Sequence, residues 1–142
     1  MRRWALFAYG TLQIPEVFER VTGRVQPGIP ARLEGYRRHP LKGLSYPAIR
    51  PEPGAAVEGL LFADLDAAIW DRLDAFEDPF YQRIRVEVTV WSGEQRPAEV
   101  YVLRSEASDR LGTGVWSLDS LTPADLEALI SRQGPLSSDD SG

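Results

Sequence analysis

The residues best placed to do chemistry are the run Phe7-Ala8-Tyr9-Gly10-Thr11-Leu12 and one acid 65 positions further on, Glu77. The run reads as a short apolar strand that breaks at Gly10 into a turn, with a helix behind it. Glycine at a strand exit lets the backbone bend sharply and lets a ligand approach closely. Successive N–H groups of Gly10, Thr11 and Leu12 would form a nest for an anion such as a carboxylate. The N-terminus of the helix behind the turn would point the same way. An ordinary strand-to-helix turn carries the same signature.

Glu77 stands out by its place on a helix read over about residues 67 to 77. With 100° per residue and Ile69 at zero, Leu73 falls at about 40°, Phe76 at about 340° and Trp70 at about 100°. Glu77 falls at about 80°, inside that apolar sector, while Asp71, Asp74 and Asp78 fall at about 140° to 200°, on the wet side. A carboxylate in apolar surroundings holds its proton more tightly and can take and return it near neutral pH. The competing reading is a helix-end glutamate that turns outward or pairs with Arg83. Tyr81 and Tyr101 lie on two strands of a predicted hairpin, where each hydroxyl either meets a ligand or is satisfied within the core. Arg83 reads as structural, and Trp116 as packing under a loop.

Composition excludes several chemistries. The chain has 142 residues, a net charge of −5 and no cysteine. Thiol catalysis, disulfides and thiolate metal sites are therefore ruled out. One histidine, His39, stands beside Pro40 among arginines and reads as a surface or structural residue, so neither a Ser-His-Asp triad nor a transition-metal site is expected. An acidic chain without a clustered basic face argues against nucleic acid. Arg37, Arg38 and Lys42 read as a solvated loop. No apolar run approaches 18 residues, and the apolar N-terminal run stops at Gly10 without a small-residue cleavage site, so a cytoplasmic protein free of the membrane is expected.

The framework around these residues can be read from pattern. A chain of this length forms one domain, expected over residues 1–134, with a disordered acidic and serine-rich tail over 135–142. Trp4 to Tyr9 reads as a buried strand, and Ile14 to Val21 as an amphipathic helix opened by Pro15 and closed by Gly23. Residues 24–55 are dense in proline, so extended pieces and loops should dominate there. Within them, Ala31 to Tyr36 reads as a strand and Tyr46 to Ile49 as a short edge strand. Val57 to Phe62 is the next strand, and Asp66 caps the helix that carries Glu77. Tyr81 to Trp91 alternates, with Ile84, Val86, Val88 and Val90 on one face and Arg83, Arg85, Glu87 and Thr89 on the other. The turn Ser92-Gly93-Glu94 leads to the partner strand Pro97 to Leu103. Thr122, Pro123 and Asp125 open a last helix that Gly134 should end. Strands are not followed one by one by helices, which argues against a doubly wound parallel sheet. The expectation is an α+β fold, a small, mainly antiparallel curved sheet or barrel of about six strands with peripheral helices.

The ordered set Phe7-Ala8-Tyr9-Gly10-Thr11-Leu12, Tyr46-Pro47-Ala48-Ile49, Val57 to Phe62, Leu73-Asp74-Ala75-Phe76-Glu77, Tyr81-Gln82-Arg83, Ala98 to Val102 and the piece around Trp116 resembles the γ-glutamylcyclotransferase-like family over roughly residues 4 to 118. The resemblance implies a mixed barrel with helices around it. It implies cleavage of a γ-glutamyl amide without water, giving 5-oxoproline and a free amine, with no cofactor and no metal. By position it places the γ-glutamyl moiety at the Tyr9 to Leu12 loop and the catalytic acid/base at Glu77. Tyr81 and Tyr101 are further candidates for substrate contact.

The chemistry is consistent with so few reactive residues, because the substrate's own α-amine is the nucleophile. The short Tyr-Gly-Thr-Leu form and the compact length resemble the γ-glutamylamine branch more than the glutathione-degrading one. A related enzyme reading is removal of a γ-glutamyl protecting group from a biosynthetic intermediate. The alternative from another class is a non-catalytic module that binds an amino-acid-like ligand, with Glu77 anchoring its amine. A cavity-free structural protein is the third. The loops Arg37 to Leu44 and Ser105 to Val115 are expected to shape the amine side. The sequence leaves the amine itself and the oligomeric state open.

Overall fold

The computed structural model describes residues 4–131. Five strands carry the architecture: β1 (Trp4–Ala8), β2 (Ile29–Pro40), β3 (Pro47–Leu65), β4 (Tyr81–Val90) and β5 (Gln95–Leu103). They close into a barrel in the order β1-β3-β2-β4-β5. Every pairing is antiparallel except the closure of β5 onto β1, which is parallel. Helices α1 (Pro15–Thr22) and α2 (Ala67–Phe76) pack outside, and α3 runs over residues 123–131. None of the described helices is long and apolar enough to cross a membrane.

Alternation sorts the strand side chains into two cores. The first draws on Phe7, Leu33, Leu61, Val88 and Val100, one from each strand and none from a helix, and fills the barrel. The second joins Leu6, Leu65 and Leu103 on the outer face to Val17, Phe18, Leu73 and Phe76 of α1 and α2. The predicted β4–β5 hairpin is present, its register running from Tyr81 opposite Leu103 to Thr89 opposite Gln95, with Gly93 at φ +93° in its turn. α1 ends on Gly23 at φ +78°, whose N–H reaches Glu19 O at 2.8 Å. The start of α3 is a reciprocal box: Asp125 N–H donates to Thr122 Oγ1 at 3.1 Å, and Thr122 N–H to Asp125 Oδ2 at 2.9 Å. The predicted helix end at Gly134 and the tail over 135–142 lie outside the described residues.

Two expectations need correction. The barrel has five strands, not about six, because the pieces read at Tyr46–Ile49 and Val57–Phe62 are one strand, β3, of 19 residues. Residues 24–55 are accordingly less loop than expected. In the first half of β3 the residues from Pro47 to Ala56 pair only with β2; β1 joins at Leu60. That half is a sheet edge, where Pro47, Pro51 and Pro53 need not donate to a second neighbour. A register shift between Glu34 and Tyr36 interrupts the β2–β3 ladder there, and Gly35 and Gly54 both take positive φ beside it. Secondly, Arg37 and Arg38 lie within β2 rather than in a solvated loop.

Candidate functional site

One cleft opens at an end of the barrel. Its empty space, open mouth included, is about 480 Å³. The Tyr9 to Leu12 turn forms one wall, Phe76, Glu77 and Asp78 a second, and Tyr46 and Pro47 a third, while Tyr81 and Tyr101 reach in from the hairpin. All seven residues singled out from the sequence, Tyr9, Gly10, Thr11, Leu12, Glu77, Tyr81 and Tyr101, therefore border the same space.

The Gly10 turn differs in detail from expectation. A single 3₁₀ turn, Thr11–Gln13, stands between Gly10 and α1, so the glycine does not lead straight into the first turn of α1. Gln13 N–H closes onto Gly10 O at 3.1 Å and Ile14 N–H onto Thr11 O at 3.0 Å. The N–H groups of Gly10, Thr11 and Leu12 precede any intrahelical acceptor, and among the described residues they have no hydrogen-bond acceptor. They are donors left over at the cleft wall. A Cβ at Gly10 would stand 3.0 Å from Pro47 Cδ, so glycine also keeps this wall close to the Pro47 wall.

Glu77 reaches the cleft by a route other than the helical wheel. α2 stops at Phe76, and Glu77 caps it with extended backbone (φ −74°, ψ 144°), its N–H still bonded to Leu73 O at 3.1 Å. Pro79 fits the stop: helices usually end at or before the residue that precedes a proline, here Asp78. Past that point 100° per residue no longer applies. Glu77 is half-buried at the cleft wall, and so is Asp78, which the wheel assigns to the wet side. The Tyr46 hydroxyl donates to Asp78 Oδ2 and joins the two walls.

Three tyrosine hydroxyls converge around these acids. Tyr9 Oη donates to Tyr101 O at 2.6 Å, Tyr81 Oη to Pro47 O at 2.6 Å and Tyr101 Oη to Asp74 Oδ1 at 2.7 Å. A phenol has one proton to give, so these groups offer a ligand their oxygen lone pairs. Burial pushes all three phenols above the usual tyrosine value. The Glu77 charge adds to the rise in each, and at Tyr101 the bond to Asp74 adds more. The Glu77 charge is the one contribution besides burial that all three phenols share. Arg83 has the structural place expected of it: Nη1 meets Asp74 Oδ2 at 3.0 Å, Nε meets Glu99 Oε1 at 3.3 Å, and the guanidinium lies over Trp70 at 4.6 Å.

The raised phenols make a test. A folded-state value above the unfolded one, near 10, means that the folded protein holds these protons more tightly. The resulting stability is complete below about pH 10 and is lost as pH rises beyond it. Near-ultraviolet phenolate absorbance at pH 11 should therefore reveal ionisation of at most two of the five tyrosines while circular dichroism still reports the fold. Titration of all five in the folded protein would contradict the burial described.

Sequence reasoning missed Tyr46, Pro47, Asp78 and Leu129 as cleft residues. Pro79 was the available signal for Asp78. Leu129 comes from α3, where it is 3 % exposed, and nothing in the sequence shows where α3 docks. Among the described residues, no three His, Cys, Asp or Glu side chains gather as a metal would need.

Comparison with known proteins adds to this geometry. The profile of the family described as gamma-glutamyl cyclotransferase, AIG2-like, matches residues 6–118. The chain is 34% identical over 126 residues to AIG2-like protein C of Arabidopsis thaliana, covering 88% of this chain and 73% of that protein. A solution structure from Arabidopsis thaliana superposes with a TM-score of 0.72 at 26% identity, over 100% of this chain and 86% of that one. A solved structure of a protein named gamma-glutamyl cyclotransferase shares the fold at a TM-score of 0.66 and 16% identity, over 92% and 99% of the two chains. With its profile match spanning the barrel, the Gly10 turn and Glu77, the chain belongs to the gamma-glutamyl cyclotransferase, AIG2-like family.

Proposed function

We propose that this protein is a cyclotransferase that converts a γ-glutamyl amide into 5-oxoproline and a free amine, with Glu77 as general acid and base. The observation that carries the reading is the convergence of a half-buried Glu77, the spare N–H donors of Gly10 to Leu12 and three tyrosine oxygens on one cleft.

The substrate's α-amine attacks its own γ-carbonyl carbon. A C–N bond forms, the amide C–N bond breaks, and the departing amine leaves with a proton. Glu77 accepts the proton that the attacking nitrogen loses and returns it to the leaving nitrogen, so no water is consumed. Tyrosine lone pairs at Tyr9, Tyr81 and Tyr101 are suited to an N–H-bearing group. The Gly10–Leu12 donors are suited to an anionic oxygen, whether of the α-carboxylate or of the tetrahedral intermediate. Holding the glutamyl chain folded for ring closure supplies roughly 7–11 kcal/mol of the acceleration. One well-placed oxyanion donor adds about 3 kcal/mol.

The test is a panel of γ-glutamyl amides of simple amines and of amino acids, incubated with the protein and read by mass spectrometry. Equimolar 5-oxoproline and free amine from at least one member is the expected result. An inert panel would leave a module that binds the ligand without turning it over.

A further inference from the structure

Two walls of the cleft come from distant stretches of chain, and both lean on one indole outside it. Trp116 is 5 % exposed, and its Nε1 donates to Ser45 O at 2.8 Å. Ser45 immediately precedes Tyr46 and Pro47, which form the third wall. On the other side, the Arg38 guanidinium lies over the Trp116 ring at 5.2 Å from its centroid. The same guanidinium donates through Nη1 to Tyr9 O at 2.9 Å, at the head of the Gly10 turn. Neither Trp116 nor Arg38 borders the cleft itself.

The strap that brings Trp116 here is itself laced to the end of β2. Leu41 bridges Leu111, Lys42 N–H reaches Arg110 O at 2.9 Å, and Gly112 N–H reaches Pro40 O at 2.7 Å. Packing alone would need a buried ring but no polar links. Here the polar links run to the carbonyls of Ser45 and Tyr9, one beside each wall, and a flat cationic group over an indole is a directional contact.

We propose that Trp116 is a positioning residue that sets the width of the cleft, holding Ser45–Tyr46 through its N–H and, through Arg38, the Tyr9–Gly10 turn. The structural part of the proposal stands apart from the chemistry; its kinetic consequence rests on the cyclotransferase reading.

The experiment is amide hydrogen exchange, read by mass spectrometry on peptides spanning residues 8–14, whose Gln13 and Ile14 N–H groups close the turn, 44–49 and the β4–β5 hairpin. Trp116→Phe keeps the ring and loses the N–H, so exchange should rise at least fivefold in 44–49 alone. Arg38→Met should raise it in 8–14 alone, and Trp116→Ala in both. The hairpin should be unchanged throughout. The two milder variants carry the test if Trp116→Ala does not fold. Exchange that rises at neither wall, at both walls together in the milder variants, or equally across the hairpin overturns the proposal.

With γ-glutamylethylamide as substrate, Trp116→Phe should raise KM at least fivefold and leave kcat within twofold. An unchanged KM, or a loss confined to kcat, also counts against positioning. If wild type releases no 5-oxoproline from any γ-glutamyl amide, the cyclotransferase reading fails by itself, and the exchange pattern still decides the role of Trp116.

Discussion

Glu77→Gln should lower the rate of 5-oxoproline formation at least a hundredfold while circular dichroism and the unfolding midpoint stay at wild-type values. Glutamine has the same shape and retains the extended backbone past α2, so the cleft keeps its form. It lacks a group that can accept a proton from the attacking amine and return it to the leaving one. General acid–base groups contribute about 10²–10⁴ in rate, and a hundredfold corresponds to about 2.7 kcal/mol. The variant also removes the charge that Tyr9, Tyr81 and Tyr101 all feel. Full activity in Glu77→Gln would remove this residue from the mechanism, whatever becomes of the rest.

Gly59→Ala should destabilise the fold by about 3 kcal/mol, at the upper end of what overpacking typically costs. Gly59 lies in β3 opposite Ala31. A Cβ there would stand 2.4 Å from the backbone oxygen of Ala8 and 2.9 Å from the Phe7 ring. Backbone is the neighbour that cannot give way, so β1 itself must move. Ala8 borders the cleft and leads directly into Tyr9 and Gly10, so the displacement reaches the site as well as the barrel. Gly54→Ala is the matched control. It has φ +88° and open space within 4 Å of its Cβ position, so it carries only the backbone cost of about 1 kcal/mol. Urea unfolding ranks the two. A Gly59→Ala no less stable than Gly54→Ala would contradict the packing of β1 on β3.

What the sequence disclosed is what local physics writes into it. The β4–β5 hairpin was legible because Ile84, Val86, Val88 and Val90 alternate with charged residues. The α3 cap was legible because Thr122 and Asp125 stand three apart. The Gly10 turn was visible as a glycine ending an apolar strand. Glu77 was found by a helical wheel that no longer applies at its position: α2 ends at Phe76, and an extended residue delivers the side chain to the same side. The same wheel sets Asp78 on the wrong face, because the helix ends ahead of Pro79 and Asp78 lies beyond it.

The rest depends on long-range pairing, which leaves no local mark. Prolines made β3 read as fragments, because their acceptability at an edge depends on which strands flank it. Arg38 read as one of a solvated trio, although the fold turns it onto Tyr9 O and Trp116. Tyr46 and Asp78 are 32 residues apart and meet only when the barrel closes.

The reading rests on a substrate that closes on itself, and isotope labelling reports this directly. A γ-glutamyl amide turned over in heavy-oxygen water should give 5-oxoproline with no heavy oxygen in it, and the N-acetylated substrate, whose α-amine is blocked, should be inert. Release of glutamate carrying heavy oxygen, or turnover of the N-acetylated substrate, would show that water rather than the α-amine attacks, and would contradict the account.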